Sequence, residues 1–203
     1  TKDLLQQHGL PVAPGVVVET VSEALTAAKQ IGYPVVIKPY NGNQGKGVSL
    51  NLLDDTAIQG AFAAAAAVSP SVMVEACLAG RHYRLLVVGG RMVAAAERLP
   101  AFVVGDGINT VGRLIEIENE NPLRGDGHEK PLTKIPLDAI TMSVLRRQGH
   151  APDKVAELGE RIWLRDNANL STGGTAIDVT ASVHPQQAEL AAAAAKLVGL
   201  DIA

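Results

Sequence analysis

Two hydrophobic periods run along this chain, and the switch between them marks out its predicted elements. Asp3 to Gly9 forms a short helical stretch stopped by a glycine, and "GVVVET" is a β-branched run bounded by Gly15 and Ser22. Ser22 is placed to cap a helix whose apolar positions Leu25, Ala28 and Ile31 recur at helical spacing, with Gly32 as its stop. Pro34 opens "VVIK", a short buried strand, and Val48, Leu50 and Leu52 alternate with polar partners as in a half-buried strand. Asp54 or Asp55 starts a helix with Ile58, Ala61, Phe62 and Ala65 on one face, and "SVMVEACL" is the next strand. These elements predict a first α/β layer, residues 1–80.

The second part, residues 81–203, begins with a hairpin: "YRLLVV" and "RMVAAAE" flank Gly89-Gly90, a strong two-residue turn signal. Asn109 or Thr110 caps a helix carrying Leu114, Ile115 and Ile117 that ends near Pro122. Residues from about 122 to 160 are irregular and charged, apart from an amphipathic helix around Ala139 to Arg147. A strand "RIWLR" and a polar turn "DNANLSTGGT" follow. The last helix has Pro185 in its first turn, Leu190, Ala194, Leu197 and Val198 on a face, and Gly199 as its stop.

Composition narrows the classes. With 203 residues, 47% of them apolar, the chain has material for a real core. A formal net charge of -3 with interspersed signs gives no basic field for nucleic acid. The single cysteine, Cys77, has no internal partner, which fits a cytoplasmic, reducing setting. No stretch has the length of a membrane span; the alanine-rich tracts at 63–68 and 191–195 are helix faces. The chain opens at Thr1 without a methionine and stops in "GLDIA", an apolar run expected to enter a core, so a portion of a longer protein is expected.

The candidate chemistry starts with "PVVIKPYNGNQGKG". Lys46 is followed by Gly47 where a Walker A loop needs Ser or Thr, and the glycines precede a strand, which excludes the Rossmann turn. A glycine-rich hairpin at 41–47 remains. It either folds over a polyphosphate and offers backbone N–H groups, with Lys38 at the strand exit, or is a mobile turn with two solvated lysines. Glu75, ending "VMVE", suits an adenine amine or ribose hydroxyls, or is a solvated strand end. Arg84, two residues after His82, suits phosphate or carboxylate, or a surface ion pair. The cluster Asn169, Ser171, Thr172, Gly173, Gly174, Thr175 and Asp178 gathers hydroxyls and glycine backbone, suited to a carboxylate or to a plain polar turn. The five histidines are scattered, "HEK" at 128–130 lacks the second histidine of a zinc protease, and no metal cage or G-x-S-x-G elbow is present.

In order, strand-K-P, glycine lid, strand, helix, "VMVE" and "YRLLVVGGRMVAAAER" resemble the ATP-grasp superfamily. Within it, "IGYPVVIKPYNGNQGKGV", "VEACLAGRHYRLLVVGGRMVAAAERLPAFVVGDGINTV", "NPLRGDGHEKPLTKI" and "NLSTGGTAIDVTASVHP" are similar to the ATP-grasp portion of the cyanophycin synthetase family. The bifunctional glutathione-forming ligases resemble the same stretches, but "GNQGKGV" and "HEKPLTKI" are closer to the cyanophycin enzymes.

The resemblance implies an α+β ATP-grasp fold, incomplete here, whose two subdomains (1–80 with the lid 41–47, and 81–203) sandwich ATP. It implies ATP with Mg2+, phosphorylation of a substrate carboxylate and attack of an amine on the acyl phosphate. The expected substrates are aspartate and a cyanophycin primer, and the expected partner is a Mur-ligase-like domain of the same polypeptide in a homo-oligomer. On this pattern Lys38 binds phosphates, Gln44, Gly45, Lys46 and Gly47 form the lid, and Glu75, Ala76 and Leu78 line the adenine. Arg84 holds the acyl phosphate, and Asn169, Ser171, Thr172, Gly173 and Gly174 hold the backbone carboxylate. His82 stands where many of these enzymes place an acidic ribose ligand. The magnesium ligands are expected beyond Ala203 and an upstream phosphate lysine before Thr1, so the isolated piece is expected to be inactive. A nucleotide-binding module without chemistry is the competing class.

Overall fold

The computed structural model describes residues 1–42, 45–127 and 129–203, which form two compact units, Thr1–Gly80 and Arg81–Ala203. The first contains α1 (Lys2–Gln7), β1 (Gly15–Val18), α2 (Val21–Ile31), β2 (Val35–Pro39), β3 (Ser49–Leu52), α3 (Asp55–Ala66) and β4 (Val72–Ala76). Its strands make one antiparallel sheet in the order β1-β4-β2-β3. Two βαβ crossovers therefore interleave: β1-α2-β2 straddles β4, and β3-α3-β4 straddles β2.

Small residues let the two helices lie close on this sheet. Ala24, Ala27 and Ala28 of α2 and Ile58, Ala61 and Ala65 of α3 pack with Val35, Ile37, Val72 and Val74. Each fully buried valine or isoleucine contributes about 1.5–3 kcal/mol. Because strand side chains alternate, Val36, Lys38, Met73 and Glu75 point to the other face. The start of α2 differs from expectation. Thr20, not Ser22, is the cap, because Thr20 accepts from the Glu23 N–H while Glu23 returns to the Thr20 N–H. The alternation in β3 is also broken: Asn51 has φ +56° and the register slips between Val35 and Ile37.

The second unit runs through β5 (His82–Val88), β6 (Arg91–Leu99), β7 (Phe102–Val104), α4 (Val111–Asn119), β8 (Arg124–Gly125), β9 (Leu132–Thr133), α5 (Ala139–Arg147) and β10 (Arg161–Trp163). A 3-10 turn (Leu170–Thr172), β11 (Thr175–Asp178), a second 3-10 turn (Thr180–Ser182) and α6 (Pro185–Leu197) complete it. Gly89 and Gly90 have φ +55° and +73°, as the β5–β6 two-residue turn requires. β6 is the middle of a three-stranded sheet, β11-β6-β5, with α6 against it.

Four strands here carry no clear signal: the two-residue β8 and β9, β7 and β11. β7 has only three residues between Pro100 and Gly105, and β11 is a largely exposed edge strand inside a polar stretch. β7 pairs with β10, and their Val103 and Ile162 join Val111, Leu114, Ile115, Leu145, Ala156 and Leu164 in the core. Ile135, Leu145 and Ala156 come from the 122–160 stretch, so that stretch is pinned from inside despite its charge. "GLDIA" does not enter the core: Ile202 bridges to Val88 at the sheet edge and is 67% exposed. Among the described residues no helix is long and apolar enough to cross a membrane.

One buried cation ties α5 to the strand end after β10. Arg165, with only 2% of its side chain exposed, forks onto both oxygens of Asp138 at 2.8 Å. Asp138 also caps α5 by accepting from the Ile140 and Thr141 N–H groups. The Arg165 hydrogen bonds, against a smaller opposing effect of burial, bring the Asp138 carboxyl down to about 2. A depressed folded-state value contributes stability that is present above the unfolded value, about 4, and lost as pH falls through the folded one. The urea midpoint of Asp138→Asn should therefore lie below that of the parent chain at pH 5, with the gap closing as pH approaches 2. A gap of constant size across that range would contradict this assignment.

Candidate functional site

In the first unit the site is built on the sheet face turned away from the helices. The β2–β4 register sets Val36 opposite Glu75 and Lys38 opposite Met73, so Lys38 and Glu75 are diagonal neighbours on that face. The Lys38 ammonium donates to Glu75 Oε1, and Lys2, from α1, donates to Oε2 at 2.9 Å. Gly15 lets β1 lie close against β4 here: a Cβ there would sit 2.5 Å from Glu75 Cβ and 2.7 Å from the Val74 carbonyl. Burial alone would raise the Glu75 carboxyl, but the hydrogen bonds from Lys38 and Lys2 outweigh it and hold the group below its ordinary range. The carboxylate is the enclosed partner at 15% exposure, whereas Lys38 is 38% exposed and has room to engage something else.

The glycine hairpin joins β2 to β3 just past Lys38. Gly45 and Gly47 take φ +76° and +68°, and a Cβ at Gly47 would press within 3.1 Å of the Ala64 carbonyl at the end of α3. The loop is thus rooted on α3 through Gly47, while Lys46 is exposed. Gln44 lies outside the described residues. Beyond Glu75 the backbone divides its groups. The Ala76 N–H is taken by the Pro14 carbonyl, while the Leu78 N–H bonds no other described residue.

In the second unit, alternation along β5 sends His82 and Arg84 to one face, both exposed. The hairpin register sets Arg98 of β6 opposite His82 and Ala96 opposite Arg84. Arg98 therefore joins the same face, half-buried, and its Nε is buried without a partner among the described residues. Burial, then the nearby Arg84 charge, push the Arg98 guanidinium below its ordinary range. Two arginines and a histidine so placed, with an orphaned donor, fit an anion. Neither Arg98 nor Lys2 was picked out from sequence. Arg98 had a signal, the hairpin register itself; Lys2 meets Glu75 across 73 residues of chain and had none.

The turn at 169–174 differs in detail from a glycine-rich donor loop. The Gly173 N–H bonds the Leu170 carbonyl, and the Thr172 and Gly174 N–H groups share the Asn169 carbonyl. Thr172 Oγ1 is held by Asn167 and Asn169. What stays open are the exposed Ser171 hydroxyl and the Asn169 side chain, which bond no other described residue. The glycines are needed for space instead. Gly173 has φ +92° and a Cβ there would sit 2.7 Å from Ile135 Cγ1; at Gly174 it would sit 2.7 Å from the Asn169 and Leu99 carbonyls.

On the opposite face of this sheet, Arg81, Tyr83, Leu85, Val183, His184 and Gln187 line a cleft of about 540 Å3 that holds none of the predicted residues. Among the described residues no group of three or more His, Cys, Asp or Glu side chains is placed to hold a metal ion.

Residues 1–136 match the family model described as carbamoyl-phosphate synthase L chain, ATP binding domain. The chain is 45% identical to a cyanophycin synthetase of Nostoc sp. over 204 residues, covering 100% of this chain and 23% of that protein. A bifunctional glutathione synthetase from Pasteurella multocida superposes on 99% of this chain and 27% of its own, with TM-score 0.62 and 34% identity. An ATP-grasp ligase, PsnB, solved with a precursor peptide and AMPPNP, matches 98% of this chain and 40% of its own at TM-score 0.50 and 12% identity, a likeness of fold alone. The chain thus spans about a quarter of the length of the cyanophycin and glutathione enzymes it matches.

The turn's geometry sets a stability test. Gly173→Ala should cost about 2–4 kcal/mol, from a left-handed backbone plus overpacking against Ile135. Ser171→Ala should stay within about 0.5 kcal/mol, as an exposed side chain does. Urea unfolding of both variants checks this, and equal losses would contradict the packing role of Gly173.

Proposed function

Because this chain belongs to the family of carbamoyl-phosphate synthase L chain ATP-binding domains and has the ATP-grasp fold, we propose that it is the ATP-using part of a carboxylate–amine ligase of the cyanophycin synthetase kind. The observation that carries this reading is the Lys38–Glu75–Lys2 arrangement beside the glycine hairpin.

ATP supplies an activated phosphoryl group, and a substrate carboxylate oxygen accepts it. The acyl phosphate is then attacked by the amine of aspartate, forming the amide and releasing phosphate. Glu75 keeps the Lys38 ammonium at the mouth of β2, where a polyphosphate can draw it off. Lys2 stays on the carboxylate when that happens, so Glu75 is never left as a lone enclosed charge. Gly45, Lys46 and Gly47, with Gln44, form the lid. The Ala76 carbonyl followed by the Leu78 N–H, which bonds no other described residue, offers acceptor then donor, the complement of the amine and ring nitrogen on an adenine edge. Glu75, engaged by both lysines, serves the phosphate side of the nucleotide in this arrangement.

In the second unit Arg84 and Arg98 supply fixed positive charge for the negative charge that spreads over a phosphoryl group in transfer. His82 borders the same face as a ring N–H donor in place of an acidic ribose ligand. The Ser171 hydroxyl and Asn169 amide, with the turn that Thr172, Gly173 and Gly174 shape, hold the substrate's backbone carboxylate. Among the described residues no set of metal ligands gathers.

The likeness to the Pasteurella enzyme over 99% of the chain favours a second reading, a glutathione-forming ligase. In the full-length ligase, Lys38→Ala should lower aspartate addition to a primer at least about 100-fold, as loss of one charge-stabilising donor does. Its melting temperature should change little, because Lys38 is not a core residue. Retained activity would remove the ligase reading of this site, and turnover on glutathione precursors instead of aspartate would select the second.

A further inference from the structure

A buried arginine that the mechanism above does not use sits under the 169–174 turn. Arg124 lies in the charged "NPLRGDGHEK" stretch, yet only 1% of its side chain is exposed. Its Nη1 donates to the Thr133 carbonyl at 2.7 Å and the Gly173 carbonyl at 3.0 Å. Its Nε and Nη2 both meet Glu118 Oε1 at 3.0 Å, near the end of α4. The next residue of α4, Asn119, grips Ile135 from both sides: Nδ2 donates to its carbonyl at 2.9 Å, and its N–H donates to Oδ1 at 2.7 Å. Ile135 in turn fills the space over Gly173, where a Cβ would lie 2.9 Å from the Ile135 Cα.

Both sides of the Gly173 peptide are therefore set by one strut. Arg124 holds its carbonyl, and Ile135, held by Asn119, occupies the room next to its Cα. The turn's own N–H groups bond inside the turn, so the Gly173 carbonyl is a point at which the turn is fixed to the rest of the unit. Only a planar guanidinium reaches three acceptors on three segments at once; an ammonium has no such fork. Burying this charge is costly unless every donor is used, and the cost is met here by Glu118 and two carbonyls.

We propose that Arg124 is a positioning residue for the carboxylate-bearing substrate, acting through the Gly173 carbonyl on the turn that presents Ser171 and Asn169. The proposal rests on the reading of that turn as the carboxylate site. It accounts for two separate stretches of the chain as parts of one device, "NPLRGDGH" as the strut and "NLSTGG" as the surface it holds.

The test uses the full-length ligase with a synthetic aspartate-rich peptide as primer. Arg124→Lys should raise the KM for the primer about tenfold, with the KM for ATP unchanged and kcat within about threefold, the pattern of a displaced binding group. If Arg124→Lys does not fold, Glu118→Gln, which weakens the hold on Arg124 while keeping an acceptor, should raise the primer KM about threefold with the same selectivity. Ser171→Ala separates the two ideas. If it raises the primer KM and the Arg124 or Glu118 variant does not, the positioning role is wrong while the turn's role stands. If Ser171→Ala leaves the primer KM unchanged, the turn's role falls and the proposal falls with it. A rise in both KM values together would also overturn it, as general damage.

Discussion

The Glu75 carboxylate is enclosed at 15% exposure and shared by two ammonium groups, and the first unit is arranged around that sharing. A carboxylate so placed needs cationic partners, or its own pKa would climb until it took up a proton. Lys38 comes from the adjacent strand, diagonal to Glu75 in the register. Lys2 comes from α1, 73 residues away along the chain. The same pairing leaves Lys38 held but replaceable. On the proposed reading, Lys38 must be fixed before a phosphate arrives and free to leave Glu75 once it has arrived. Two cations on one anion satisfy both demands, because the departure of one does not strand the charge.

Much of this was legible along the chain, for identifiable reasons. The apolar runs "VVIK" and "VMVE" mark two buried strands that end in the lysine and the glutamate, and the paired positive-φ glycines dictate the β5–β6 hairpin. Local chemistry was harder to rank: Thr20 outcompetes Ser22 as cap only because Glu23 answers it three residues on. Short or edge strands such as Phe102–Val104 and Thr175–Asp178 bury too little on one face to leave a period. Long-range partners leave no trace in spacing, which is why Lys2 and Arg124 emerge only in the folded chain. Arg98 lies between these cases, since the hairpin that was foreseen already set it across from His82.

The glycine-rich 169–174 segment changed meaning most. Its composition suggested free N–H donors, yet those of residues 172, 173 and 174 are engaged within the turn. The glycines allow Ile135, Leu99 and Asn169 to approach, and the polar groups left outward belong to Ser171 and Asn169. The "NPLRGDGH" and "NLSTGG" stretches are thus linked physically, through the hydrogen bond from Arg124 to the Gly173 carbonyl. Stretches that look like ligand motifs are here partly packing motifs, and their chemistry is carried by the few side chains that the packing leaves exposed.

Oxygen tracing tests directly whether the proposed ligase passes through an acyl phosphate. The full-length ligase would be run on a primer whose carboxylates carry 18O, with the released phosphate analysed by mass spectrometry. Transfer of one labelled oxygen into phosphate for each amide bond formed is the predicted result. Phosphate free of label, with amide formation unimpaired, would contradict the account.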